Sequence, residues 1–283
     1  MQKILLSMGI FFTAFLMGNS VEAQILLPRP SPEASIKQDV GLSSVEVSYF
    51  RPSMKDRAIF GELVPYGTMW RTGANRSTSL TFGEDMMVDG KEVPAGAYAL
   101  YSIPGKASWT LILYKKSDCW GVCEDYKESE EQLRWTVKPQ KYPMTAETMT
   151  VNFANVGFDS ADFQLIWENT MVGFNIKTTT KDQVQKSIDK AMAGTSPDDY
   201  YKAAVYYLEQ DKDLDQALIW MDKALEKKEK FWMVRRKALI LEKLNKYPEA
   251  IKTAERSIEL AKEAENEDYV RMNEKSIEEW KTK

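Results

Sequence analysis

Between Phe50 and Asn75 the chain collects residue types that hold oriented ligands: Arg51 and Arg71 beside Tyr66, Trp70 and Asn75. Arginine presents a planar fork of donors that matches carboxylates, and an aromatic ring offers apolar area with a polar edge. Two arrangements would use such a segment. In the first, Arg51, Tyr66, Trp70, Arg71 and Asn75, joined by Trp120, form a binding site for a sugar or an anionic metabolite. In the second, the cations of 51–76 (Arg51, Lys55, Arg57, Arg71, Arg76) pair with the acids of 118–131 (Asp118, Glu124, Asp125, Glu128, Glu130, Glu131) in an internal network with no ligand. Trp109, Trp135 and Trp167 alternate with polar neighbours and read as core, so the count of aromatic residues does not decide between the two.

The rest of the inventory is mostly exclusions. The chain has no histidine, which removes Ser-His-Asp and Cys-His catalysis, His-based metal sites and a His general base. Carboxylate-pair glycoside hydrolysis and Ser-Lys chemistry survive that test. Yet no Gly-rich phosphate loop occurs, and no acid pair stands out by spacing. The expectation is therefore no catalytic residue, no cofactor and no metal, with an enzyme the lesser reading. Cys119 and Cys123 flank Trp120-Gly121-Val122. The spacing is not that of a redox Cys-x-x-Cys, and a disulfide pinning one loop is the expectation.

Strands must position these residues. Val45, Val47 and Tyr49 alternate with polar neighbours, as do Leu111/Leu113, Leu133/Trp135/Val137 and Phe163/Leu165/Trp167. Asp89-Gly90 between two short apolar runs signals a hairpin, because a type I′ turn needs positive φ at both central residues. Nine or ten short strands before about residue 178 predict an antiparallel β-sandwich or small barrel.

Near Lys181 the apolar period lengthens to that of a helix. Ser196-Pro197 with Asp198 and Asp199 reads as a helix N-terminus. Ala217 and Ala224 recur 33 residues later as Ala250 and Ser257, and small residues at such places let antiparallel helices approach closely. The segment resembles two tetratricopeptide hairpins, a surface for a protein partner or a cap on the β domain.

The chain opens with Lys3 and an apolar run from Ile4 to Met17, followed by Gly18, Asn19 and Ser20. This predicts a signal peptide over 1–23 and a mature chain from Gln24 without a transmembrane segment. Periplasm is the expected location, with secretion the alternative. Counting charges over 24–180 gives 16 basic and 19 acidic residues, and over 181–283 gives 21 and 22. Neither part has the basic excess that phosphate neutralisation requires, so nucleic acid is not an expected partner.

The run Phe60-Gly61-Glu62-Leu63-Val64-Pro65-Tyr66-Gly67, continuing through Trp70-Arg71-Thr72-Gly73-Ala74-Asn75, resembles the signature of the domain of unknown function 2911, a family of exported bacterial domains. Leu27 to Pro32, Val93 to Leu100, Ile103-Pro104-Gly105, Trp109 to Leu113, Trp120-Gly121 and Lys138-Pro139-Gln140 extend the likeness across most of 26–180. The resemblance implies no activity, cofactor or catalytic residue. The cysteine pair departs from the family pattern, and the helical segment lies outside it. Together these readings give an α+β chain: a signal peptide over 1–23, a β domain over 24–180 and a tetratricopeptide-like region over 181–283. The expected function is non-catalytic binding of a ligand or a protein, with a carbohydrate-binding protein or His-free glycosidase as the alternative.

Overall fold

Alternation along the chain becomes two antiparallel sheets that share one core. A computed structural model describes residues 27–192, 196–226 and 228–283; the expected signal peptide lies outside the described residues. The strands are β1 (Glu33–Val40), β2 (Ser43–Phe50), β3 (Thr78–Phe82), β4 (Met86–Val88), β5 (Lys91–Val93), β6 (Gly96–Ile103), β7 (Trp109–Tyr114), β8 (Glu131–Val137), β9 (Gln140–Ala154) and β10 (Ser160–Lys177). One sheet runs β1-β2-β3-β6-β7-β8 and the other β5-β4-β10-β9. The sheets pack face to face and do not close into a barrel. Val45, Val47, Tyr49, Leu111 and Leu113 from the first meet Val88, Met149, Phe163, Leu165 and Phe174 from the second, all buried. Asp89 and Gly90 turn β4 into β5 with φ of 46° and 76°, the positive values that a type I′ turn demands.

Helices follow from residue 180: α1 (Thr180–Ala191), α2 (Pro197–Glu209), α3 (Leu214–Leu225), α4 (Phe231–Lys243), α5 (Tyr247–Glu263) and α6 (Glu267–Trp280). Ser196 caps α2 by accepting from the Asp199 N–H while Asp199 reaches back, a capping box with Pro197 in the first turn. The Asp199 carboxyl is held below its usual range, chiefly by its bond from the Ser196 hydroxyl. Ala217, Ala224, Ala250 and Ser257 are fully buried, so the 33-residue offset read from the sequence marks positions where helices press together. The helices meet the sheets through few groups. Thr180 Oγ1 accepts from the Leu42 N–H at 2.9 Å, Gln183 donates to Glu84 at 2.5 Å, and Phe158 lies 5.6 Å from Tyr206, ring centre to ring centre.

The connection from β2 to β3, residues 51–77, is long and mostly without regular structure, and loops of that length in compact domains usually serve function. It is stitched to both sheets. Met54 N–H donates to Glu147 O, and Met149 N–H to Pro52 O, on the side of β9. Trp70 and Ser102 exchange main-chain bonds of 2.7 and 2.9 Å on the side of β6. The segment thus crosses one flank of the sandwich and is held there as firmly as a strand.

Candidate functional site

Within this crossing segment Thr72 has φ of 55°, an outlying conformation for a β-branched residue. It is held by burial and by hydrogen bonds. Its hydroxyl pairs with Ser102 Oγ at 2.9 Å, and its carbonyl accepts from Thr78 Oγ1 at 2.5 Å. Three residues on, Asn75 also takes positive φ, 56°, which asparagine tolerates better than most residues. Its main-chain oxygen then accepts two bonds, from Arg71 Nη1 at 2.8 Å and from the Gly121 N–H at 3.0 Å. Its side-chain amide donates to Ser31 O at 3.3 Å. One carbonyl therefore sets both the Arg71 guanidinium and the position of the 119–123 loop.

That loop carries Trp120, whose surface is 67% exposed, between Cys119 and Cys123, which are disulfide-bonded with Cα atoms 5.2 Å apart. Ser77 N–H donates to Cys119 O at 3.1 Å, and Trp120 forms a β-bridge with Arg76. Exposing a large indole leaves apolar area in water, and here the backbone that bears it is fixed on both sides.

Trp120 and the crossing segment border a cleft of about 390 Å³, lined also by Pro52, Arg57, Leu63, Trp70, Arg71 and Trp167. Its floor is aromatic. Trp70 stacks on Trp167 at 6.0 Å, and Phe60, outside the lining, packs edge-on against both rings at 6.1 and 6.2 Å. The indole N–H groups of Trp70 and Trp167 are both engaged, with Gly73 O at 2.9 Å and Glu147 O at 3.3 Å, so these rings are locked in place. Arg57 gives two bonds of 2.7 Å to Met54 O and Ser53 O. No Asp or Glu lines the cleft.

The internal Arg–carboxylate network expected from the sequence does not form. Among the described residues Arg51, Arg57, Arg71 and Arg76 make no ion pair; the acids of 118–131 pair locally, Asp125 with Lys116, and Glu131 and Glu128 with Arg134. Arg134 grips Glu131 through two bonds, and that pairing holds the Glu131 carboxyl below the usual carboxylate range. Lys116 does the same to Asp125 by hydrogen bonding. Tyr126 donates to Glu131, and burial first, then that carboxylate, pushes its phenol well above the ordinary value. Where these acids pair, the cation is one nearer along the chain than Arg71 or Arg76; Asp118, Glu124 and Glu130 make no ion pair among the described residues.

Of the residues proposed from the sequence, Trp70, Arg71, Asn75 and Trp120 meet at the cleft. Arg51 does not. It donates to Met149 O at 3.0 Å and Thr150 Oγ1 at 2.9 Å, tying the end of β2 to β9. Tyr66 also stands apart, with its ring under the Lys106 ammonium at 6.0 Å. Arg57, Leu63 and Trp167 join the lining without a sequence signal for a site: the charge of Arg57 is visible in the segment, but nothing in its spacing places it here.

The family model described as "Protein of unknown function (DUF2911)" matches residues 31–176. The chain belongs to the DUF2911 family. The match spans the two sheets and the whole cleft and ends before α1, so the helices are additional to the DUF2911 domain. No curated protein and no solved structure matches the chain. No helix among the described residues is long and apolar enough to cross a membrane.

Proposed function

We propose that the DUF2911 domain of this chain is a non-catalytic binding module of an exported protein, and that the cleft at Trp70, Arg71, Asn75 and Trp120 takes an organic anion. One observation carries the reading: two guanidinium groups line an aromatic cleft, and neither has a carboxylate partner among the described residues. A guanidinium oriented by a carbonyl keeps its full charge for a ligand, whereas one paired with an acid does not. The larger groove of about 520 Å³ between α3, α4 and α5 is the contrast. There Lys237 pairs with Asp222 and Arg256 with Glu229, so its arginine and one of its lysines are taken by acids.

A carboxylate-pair glycosidase finds no support at the cleft, since its lining offers no acid to protonate a leaving group. Export to the periplasm agrees with the disulfide, a bond that persists in oxidising compartments. The helices supply a tetratricopeptide-like surface for a protein partner, a reading supported by their buried small residues.

The test is thermal unfolding of the mature protein against a panel of organic anions. A ligand that binds only the native state at 100 times its Kd stabilises it by about 2.7 kcal/mol. The gain should vanish in Arg71→Ala and persist in Arg51→Ala. Equal gains in both variants, or none in the native chain, would remove the cleft from consideration.

A further inference from the structure

We infer, building on the binding reading above, that the ligand is an acidic saccharide: a sugar ring laid on the Trp120 indole with a carboxylate or sulfate on Arg71. Three features lead there. The first is the direction of the charge. The Arg71 side chain spends Nη1 on Asn75 O and makes no other hydrogen bond to a described residue, so most of its donor fork is open to a planar oxyanion. Gly121, with φ of 87°, borders it; even a Cβ at that position would stand at an ordinary contact distance of 3.6 Å from Arg71 Nη1, so the loop packs beside the guanidinium without crowding it.

The second feature is the single exposed plane. Trp70 and Trp167 are committed to each other and to main-chain acceptors, which leaves Trp120 as the one strongly exposed indole on the cleft. A flat aromatic ligand gains most between two planes. A pyranose needs only one, because its C–H face covers the ring while its hydroxyl groups point outward to water. The third is the rest of the lining. Pro52, Leu63 and Val64 supply apolar area there, and Arg57 retains an uncommitted Nη1 for a second anionic group. A cleft of about 390 Å³ falls within the size range of small-ligand sites, roughly 300–1,000 Å³.

The experiment is a fluorescence and calorimetric titration of the mature chain with four probes: an oligouronate, a sulfated oligosaccharide, a neutral oligosaccharide of the same length, and benzoate. The inference expects one of the two acidic saccharides to bind at least tenfold more tightly than the neutral one and than benzoate, with affinity falling as salt rises. Which of them binds decides between carboxylate and sulfate. Trp120→Ala, on an exposed side chain whose loss leaves the loop bonds in place, should lower that affinity at least tenfold, as should Arg71→Lys, which keeps the charge and removes the fork. Benzoate binding as tightly as the saccharides would overturn the saccharide inference and leave the anion site standing. Equal binding of neutral and acidic sugars would overturn the role given to Arg71. If no probe binds while other organic anions stabilise the native chain through Arg71, this inference falls and the binding reading survives; if no anion of any kind does so, both fall.

Discussion

Arg71 Nη1 donates to the main-chain oxygen of Asn75 at 2.8 Å, and the same oxygen receives the N–H of Gly121, at the residue after Trp120. The cation and the loop that bears the exposed indole thus share one main-chain acceptor. Its direction depends on the positive φ of Asn75.

Substitution at Asn75 should therefore separate backbone from side chain. Asn75→Ala places a less tolerant residue in the left-handed region and should cost about 1–2 kcal/mol in denaturant unfolding. Asn75→Gly keeps that conformation accessible and loses only the bond to Ser31, so it should be milder and should retain ligand binding. Equal losses in the two variants would show that the amide side chain, not the backbone, is what matters.

Arg51 serves as the internal control. Its bonds to Met149 O and Thr150 Oγ1 hold β2 against β9, and leaving such partly buried acceptors unpaired costs about 1–3 kcal/mol. Arg51→Ala should lower the unfolding midpoint while leaving the ligand-induced rise unchanged.

Much of the architecture was legible because it is written locally. Period-two alternation located the strands, Asp89-Gly90 located a hairpin, and Ser196-Pro197 located the start of α2, each from neighbours within a few residues. The cleft was legible only in part, since it depends on which loops cross at the flank of the sandwich. Trp70, Arg71 and Asn75 share one loop with Arg51 and Tyr66, yet the stitching to Ser102 and Met149 directs the first three to the cleft and the last two elsewhere. Trp167 read as core, which its burial bears out, and no sequence signal tells that part of its ring also floors the cleft. The absence of a network between 51–76 and 118–131 is illegible for the same reason: charge counts carry no information about which partner is nearer.

Removing the disulfide should have a limited effect on global stability. The ring it closes is short, Cys119 to Cys123, and the chain-entropy model assigns such a loop about 2 kcal/mol. The double variant Cys119→Ser, Cys123→Ser should stay folded by circular dichroism but bind ligand more weakly, because the Trp120 loop loses its covalent anchor. Unchanged affinity would show that the bonds to Asn75 and Ser77 fix the loop alone.

The Glu131–Arg134 pair predicts an acid-sensitive contribution. Because the folded carboxyl titrates below its unfolded counterpart, the contribution is present above the ordinary carboxylate range and is lost as pH falls through the depressed folded value. Unfolding of the native chain and of Glu131→Gln should differ most near neutral pH and converge in acid. A gap that widened in acid would contradict the assignment.

In the helices, Ser257 and Asn273 form a fully buried polar pair, with Asn273 Nδ2 donating to Ser257 Oγ at 2.9 Å and Ser257 Oγ donating to Phe231 O at 2.8 Å. Ser257→Val takes the acceptor from one Asn273 N–H, whose amide keeps its bond to Tyr269 O, and the hydroxyl donor from Phe231 O, and should cost about 1–3 kcal/mol in chemical denaturation. A neutral result would mean that the pair contributes shape alone.

The most direct test of the binding site is the Trp120 indole N–H signal in a nitrogen-15 correlation spectrum, assigned by Trp120→Phe and followed while an organic anion is titrated in. The account predicts saturable movement of the Trp120 signal and of the Arg71 side-chain signal, with Trp232 on α4 unmoved. Saturable movement confined to Trp232 and the other helical signals, with Trp120 still, would place the ligand site on the helices and contradict the assignment of the cleft.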